Sequence, residues 1–171
     1  NCTIIVTDSA GNISSTLTIT TFTIEDTVSP TIEKVTAVTT PTNDTTPDYT
    51  FSSDEAGTIT YGGFCSSSTT SATTGHNTIT LISLNDGTYS DCTVSVTDEA
   101  GNISSTLSIS TFTVDITTPT ISEVTSVTNP TNDSTPNYTF SSSESGTITY
   151  GGSCSSSTTS ATSGNNNITL N

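Results

Sequence analysis

Pro41-Thr-Asn-Asp-Thr-Thr-Pro-Asp-Tyr-Thr-Phe51 returns further along the chain as Pro130-Thr-Asn-Asp-Ser-Thr-Pro-Asn-Tyr-Thr-Phe140, a shift of 89 residues. Gly57-Thr-Ile-Thr-Tyr-Gly-Gly-Phe-Cys65 returns as Gly146 to Cys154 with the same shift of 89. On the other side, Val6-Thr-Asp-Ser-Ala-Gly-Asn-Ile-Ser-Ser-Thr-Leu17 returns as Val96 to Leu107, a shift of 90. The odd residue is absorbed between Phe22 and Pro30, where Ile24-Glu25-Asp26 matches Val114-Asp115. A fixed long period marks an array of similar folding units. Residues 1–26 hold the closing hairpin of one repeat, 27–115 a complete repeat, and 116–171 the first five strands of a third, ending where Ile168-Thr-Leu170 matches Ile79-Thr-Leu81. Two arrangements account for these unequal ends. The chain is a window cut from a longer array, which is the preferred reading, or each copy completes its last unit with the first hairpin of the next.

Within the complete repeat, short apolar–polar alternations are separated by turn residues. They predict seven strands, at about 31–38, 48–53, 58–65, a weak one within 66–75, 77–84, 88–97 and 103–114. Pro41 to Pro47 read as a turn cluster, and Asn85-Asp86-Gly87 as a tight turn. Period two puts Tyr49 and Phe51, then Ile59 and Tyr61, then Ile79 and Leu81, then Cys92, Val94 and Val96 on inward faces. In the last strand Leu107 and Ile109 share one register and Phe112 and Val114 the other, which predicts a bulge near Ser110–Thr111. The fold class is all-β, built as a β-sandwich.

The composition agrees. Serine and threonine make up more than two in five residues, hydrophobic residues 29% and charged residues 10%. Threonine, isoleucine and valine are the β-branched residues of strands, and their abundance with so little charge separates this chain from a disordered one. Sixteen carboxylates stand against one cation, Lys34, for a formal charge of −15. That sign repels phosphate backbones and anionic bilayers, so nucleic-acid binding is not expected. No apolar run reaches transmembrane length, so no membrane insertion is expected. Calcium or a basic partner fits the charge.

Asp86-Gly-Thr-Tyr89, Val96-Thr-Asp-Glu-Ala-Gly-Asn102 and the Pro-Thr-Asn-Asp-x-Thr-Pro opening together resemble the bacterial Ig-like tandem repeats of giant extracellular adhesin and fibre proteins. The resemblance runs the length of the chain. It implies tandem seven-stranded Ig-like sandwiches with a period of 89–90 residues. It further implies rods, surface attachment, fibre or biofilm-matrix formation and, often, calcium between domains. Tyr89 fits the tyrosine corner of this fold, with its hydroxyl bonded back across the preceding turn. The inward residues Cys92, Val94 and Val96 sit at odd spacing from Tyr89, which predicts a bulge at Ser90–Asp91.

Four groups of residues bear on chemistry. The four cysteines are too widely spaced for a metal clamp and read as disulfides, which implies an extracellular or cell-surface location. In an Ig sandwich the ends carrying Cys65 and Cys92 meet, so these two are expected to pair within the repeat. By repeat matching, Cys2 and Cys154 then find partners outside this window or in a neighbouring copy. In the same topology Glu25 and Asp26 approach Asp54, Glu55, Asp98 and Glu99. Six carboxylates repel one another unless a cation such as Ca2+, which takes six to eight oxygens, sits among them. Alternatively they are solvated turn residues, with Asp98 bonded to its own backbone. Asn43, Asn102 and Asn132 head glycosylation sequons in turns expected to be exposed. His76, the only histidine, matches Asn165 in the next repeat, and the Ser66–Thr70 run has no basic partner. No catalytic residues are therefore expected.

The expected role is a non-catalytic structural repeat of a secreted or cell-surface fibre or matrix protein that self-assembles into filaments. The alternative is the rigid stalk of a large bacterial adhesin presenting a terminal binding domain. Other copies of the chain, adjacent repeats and surface glycans are the expected partners.

Overall fold

The computed structural model describes residues 2–171, so Asn1, with which the first hairpin and one sequon begin, lies outside the described residues. Every regular element among them is a strand: β1 Thr3–Ile4, β2 Leu17–Thr18, β3 Ile32–Thr36, β4 Asp48–Ser53, β5 Gly57–Gly62, β6 Ser71–Ala72, β7 Gly75–Thr80, β8 Gly87–Tyr89, β9 Thr93–Thr97, β10 Leu107–Ser108, β11 Phe112–Val114, β12 Ile121–Thr125, β13 Asn137–Ser142, β14 Gly146–Thr147, β15 Ser160–Ala161 and β16 Gly164–Thr169. Two compact units result, Asn1–Asp115 and Ile116–Asn171.

In the first unit, β3–β4–β7 form one antiparallel sheet and β10–β9–β5–β6 a second. Each inner face carries the apolar half of an alternating strand. Tyr49 and Phe51 come from β4 and Ile79 from β7, against Ile59 from β5 and Val94 and Val96 from β9. All but Ile59 are sealed completely from solvent. These side chains join Val38, Leu81, Leu84, Ile109, Phe112 and Val114 in a single cluster, the core of a two-layer sandwich. The outward positions carry hydroxyls that pair across strands, as Thr50 does with Thr78 at 2.9 Å.

The last two of the seven expected strands are each broken in the middle. β8 pairs with β11, and β9 with β10. The predicted slips at Ser90–Asp91 and Ser110–Thr111 therefore fall opposite one another. Three residues intervene on each side, 90–92 and 109–111, and the pairing Thr93↔Ser108 and Tyr89↔Phe112 keeps one register across the gap. Neither strand gains a residue on its partner, so this is a paired interruption, not a one-sided bulge. It turns both strands over together: even positions face inward in β9 and odd ones in β8, while Ile109 faces inward before the gap and Phe112 after it. The Tyr89 hydroxyl donates to the Asn85 carbonyl at 3.0 Å, and its ring stacks on Phe112 with centroids 5.3 Å apart.

The Pro41–Pro47 segment is more than a turn. Thr42 bridges in parallel to Val114, donating its N–H to Thr113 at 3.0 Å and accepting from Asp115 at 2.9 Å. The peptide bonds before Pro41 and Pro130 are both cis. The strand expected at 58–65 ends at Gly62, and Cys65 follows a turn at Gly63–Phe64. Gly63 has φ 73° and lies so close to the Asp91 carbonyl that a Cβ there would collide with it. The strand expected at 77–84 starts two residues earlier, at Gly75, because buried Asn77 clamps the preceding turn. Its Oδ1 accepts from the Thr73 N–H and its Nδ2 donates to the carbonyls of Thr73 and Gly75, all at 2.8–3.0 Å. Asn166 makes the same bonds to Thr162 and Gly164 in the second unit.

The second unit repeats the first sheet in register. Ile121↔Ser142 and Tyr138↔Ile168 stand where Ile32↔Ser53 and Tyr49↔Ile79 stand in the first unit.

Cys65 and Cys92 are joined by a disulfide with Cα atoms 5.2 Å apart and a sequence separation of 27. Both are buried against the core. Closing a loop of that length restricts the unfolded chain by an amount worth about 3–4 kcal/mol. The double variant Cys65→Ser/Cys92→Ser is expected to lose that much stability, read as a lowered urea midpoint for the first unit, with a steeper dependence on urea because the unfolded chain is no longer held compact.

Candidate functional site

The turn between β9 and β10 is fixed from within. Asp98 Oδ1 accepts from the Asn102 N–H at 2.7 Å, Asp98 Oδ2 accepts from Asn102 Nδ2 at 2.8 Å, and the Asp98 N–H donates to the Asn102 carbonyl at 3.0 Å. A carboxylate accepting several N–H bonds is stabilised in its charged form, and these bonds hold Asp98 below the ordinary aspartate range. Asp8 and Asn12 build the same turn in the N-terminal hairpin, with the same lowering at Asp8. Asn102 Nδ2 also donates to the Asp26 carbonyl at 3.1 Å, which ties the segment entering the complete repeat to this turn.

That tie brings Asp26 beside Asp98 and Glu55, with one carboxylate oxygen of each within 4.8 Å of the others. The structure thus gathers three of the six acids expected to cluster. Asp54 is not among the three: its Oδ1 accepts from the Thr31 N–H at 2.6 Å, a bond that lowers its pKa. Glu25 and Glu99 are exposed and stand outside the group. Glu55 takes the strain of the cluster. Desolvation, then the charges of Asp26, Asp54 and Asp98, push its pKa above the ordinary glutamate value. Three carboxylates, one with both oxygens already accepting from Asn102, supply fewer oxygens than the six to eight calcium prefers. Any cation held here completes its shell with water.

The remaining expected residues are dispersed. Cys2 and Cys154 are free and exposed. Asn43 and Asn132 are exposed, in keeping with accessible sequons. Asn102 departs from that expectation: it is half-buried, and its Nδ2, the atom a glycan would occupy, is committed to Asp98 and Asp26. His76, expected in a loop, is exposed on β7 opposite Ser52, and Lys34 Nζ donates to the Ser110 hydroxyl at 3.5 Å. Sequence reasoning missed the linking role of Asn102 and the clamp of Asn77. The Asp-x-x-x-Asn spacing of 98 and 102, repeated at 8 and 12, was the available signal for the first.

Residues 34–117 match the family model of the bacterial Ig-like domain, and the complete repeat is an Ig-like domain. No curated protein matches the chain. No solved structure matches it either.

Two outcomes follow from the acid cluster and its tie. A group whose pKa is raised by folding costs stability as pH climbs from its unfolded value to its folded one. The melting temperature of the first unit is expected to fall as pH rises just above the ordinary glutamate range. In chelator, Glu55→Gln is expected to flatten that fall and melt slightly higher at neutral pH, less so in high salt. Unchanged profiles in calorimetry would mean that the three carboxylates do not interact. Asn102→Ala removes bonds to a charged partner and to the linker, and is expected to cost about 1–2 kcal/mol.

Proposed function

We propose that the chain is a non-catalytic structural element of a secreted or cell-surface bacterial protein, in which Ig-like units are added in tandem to gain length. The observation that carries this reading is the recurrence of one core and one cysteine plan from repeat to repeat. Tyr49, Phe51, Ile79 and Cys65 have Tyr138, Phe140, Ile168 and Cys154 as counterparts, while exposed positions differ: Phe64 matches Ser153, His76 matches Asn165, and Lys34 matches Glu123. What is repeated is what holds a sandwich together. The charged, aromatic and imidazole groups on the exposed face that could catalyse a reaction or grip a ligand change from repeat to repeat, and the exposed residues that recur are mainly Ser, Thr and turn residues. The buried Cys65–Cys92 disulfide suits an oxidising, extracytoplasmic setting.

Self-assembly into a fibre or matrix is the preferred form of this role, because hydroxyl-rich, sparsely charged faces bond readily to one another and to glycans. The stalk of an adhesin rests on the same repeats and differs in what ends the array. Electron microscopy of the protein isolated from its source separates the two. Each Ig-like unit adds roughly 35–45 Å, from strands of about 7–10 residues at about 3.3 Å per residue plus turns. Filaments with several chains in cross-section are expected for the fibre. Single threads ending in a distinct head would replace it with the stalk, and compact particles with no unit repeat would sink both.

A further inference from the structure

The outermost strand of a sheet keeps one row of backbone N–H and C=O groups unpaired, and an exposed edge of that kind is a template for another strand. The outer strands of the complete unit's two larger sheets are unequal in this respect. β6 and β10 are only two residues long. β3 runs five residues but carries Glu33 and Lys34, and its pairing with β4 slips between Lys34 and Thr36. β7 has none of these defences. Its six residues, Gly-His-Asn-Thr-Ile-Thr, pair with β4 in one unbroken register, with no carboxylate, no lysine, no proline and no bulge.

The free groups on that edge can be named. Leu81 donates its N–H to the Pro47 carbonyl at 3.1 Å, so the odd residues of β7 bond towards β4 and the even ones point away from it. At one end the outward groups are already taken. The Ile82 N–H donates to the Ser66 carbonyl at 2.8 Å, and the Thr80 carbonyl accepts from the Ser67 hydroxyl at 2.7 Å. The N–H and C=O of His76 and Thr78 remain, with no hydrogen bond to them from that side among the described residues. Both side chains are exposed, while Asn77 and Ile79 are buried. β16 repeats the edge: Leu170 donates to Pro136 at 3.0 Å and Asn171 to Ser155 at 2.9 Å, which leaves Asn165 and Asn167 in the places of His76 and Thr78. Charge is distributed to match. All sixteen carboxylates and Lys34 lie outside residues 56–85 and outside residues 145–171. Asp48, on the adjoining strand, accepts from the Thr80 hydroxyl at 2.6 Å, at the end of β7 that Ser67 covers.

We propose that β7 is a lateral joint between copies of this chain: two β7 strands pair edge to edge, antiparallel, about a two-fold axis centred on Asn77, with His76 of each copy opposite Thr78 of the other. In that register every free group on the edge is used, because each His76–Thr78 pair exchanges two N–H···O=C bonds. The sheets of the two copies become one sheet in the order β3–β4–β7–β7–β4–β3. The occupant is a second copy because the edge is complementary to itself, as a two-fold contact requires. It is also the stretch that carries no carboxylate, so two chains of net charge −15 meet there with the least local repulsion, and a basic partner finds nothing on it to pair with. So short a ladder makes a weak joint by itself. Its recurrence at β16 supplies one joint per unit, and joints made together multiply in strength. The inference rests on the structural reading above and names the contact by which its rods associate side by side.

The test uses the 171-residue chain with Cys2→Ser and Cys154→Ser, so that no disulfide between chains contributes, and follows amide hydrogen exchange by NMR together with light scattering across a dilution series. In dilute solution the His76 and Thr78 amides are expected to exchange at least about tenfold faster than those of Asn77 and Ile79, which bond to β4. Raising the concentration is expected to slow His76, Thr78, Asn165 and Asn167 in step with the growth in mass, and more so in high salt, which screens the net charge. His76→Glu/Asn165→Glu brings carboxylates together across each joint and is expected to abolish both responses. Ser9→Glu, at the turn position where the complete repeat carries Glu99, adds charge away from the edge and is expected to leave them unchanged. Thr78→Pro removes an outward N–H that the fold does not use, at an edge position where proline is tolerated, and is expected to free His76 from protection. If that variant fails to fold, the paired glutamate substitution decides alone. A chain that stays monomeric up to its solubility limit, growth in mass that leaves His76 and Thr78 fast, or protection that survives the glutamates would each overturn the proposal. None of these outcomes bears on whether the units serve as structural repeats that add length, which the microscopy reads separately.

Discussion

The structure depends on one constraint: a sandwich this poor in apolar residues has a core only when both of its halves are present. With 29% hydrophobic residues, neither sheet can bury its inner face alone. Tyr49, Phe51 and Ile79 are sealed because Val94, Val96, Phe112 and Val114 lie over them. Within each sheet the pairing of neighbouring strands fixes which residues face inward, as Tyr49 opposite Ile79 and Val94 opposite Tyr61 do. Backbone hydrogen bonds therefore set the shape of each half, and apolar contact between the halves turns shape into a closed unit.

The disulfide and the cross-turn bonds reinforce that closure. Cys65 and Cys92 sit where β5 and β9 run out, at the end of the sheet where Gly63 lets the chain press against Asp91. Tyr89 holds the approach to the same strand by its bond to Asn85 and its stacking on Phe112. At the opposite turn Asp98 and Asn102 do the corresponding work, and Asn102 extends it to Asp26. Bringing the linker in at that point places Asp26 against Glu55 and Asp98. The acid cluster is thus a consequence of how consecutive repeats are stitched together, and the pKa of Glu55 is raised there by desolvation first and by the neighbouring acid charges second.

Much of this was legible in the sequence because it is periodic. Alternation assigned Tyr49, Phe51, Ile79, Val94 and Val96 to the interior, and the internal repeat fixed the phase of the alternation by showing it twice. The change of face between Ile109 and Phe112 was equally visible. Its nature was not, because parity in one strand does not tell whether the partner shifts too. Only the pairing of Tyr89 with Phe112 and of Thr93 with Ser108 shows two shifts that cancel. The parallel bridge of Thr42 was hidden for a related reason: Pro41, Asn43, Asp44 and Pro47 carry strong turn signals, and a single bridge needs no alternation to announce it. The acid cluster was overcounted because topology brings turns together but does not aim side chains. Asp54 had a nearer donor in the Thr31 N–H. Asn77 and Asn102 went unnoticed for the opposite reason, since asparagine in a turn looks alike whether it faces solvent or threads several bonds through the backbone.

Exposure sorts the differences between repeats in a way that bears on function. Every large side chain sealed in the core of the complete unit among residues 49–81 has an identical counterpart in 138–170. Among the replacements, Lys34 by Glu123, Asp54 by Ser143, Phe64 by Ser153 and His76 by Asn165 fall at exposed positions of the complete unit. A surface that recognises one ligand needs particular groups in a particular place, and substitution of charge, aromatic ring and imidazole from one unit to the next removes them. A surface that only has to stay soluble and offer hydroxyls tolerates such changes freely. What passes unchanged between repeats is the means of closing a sandwich: its inner face, its cysteines, its Asp–Asn turn.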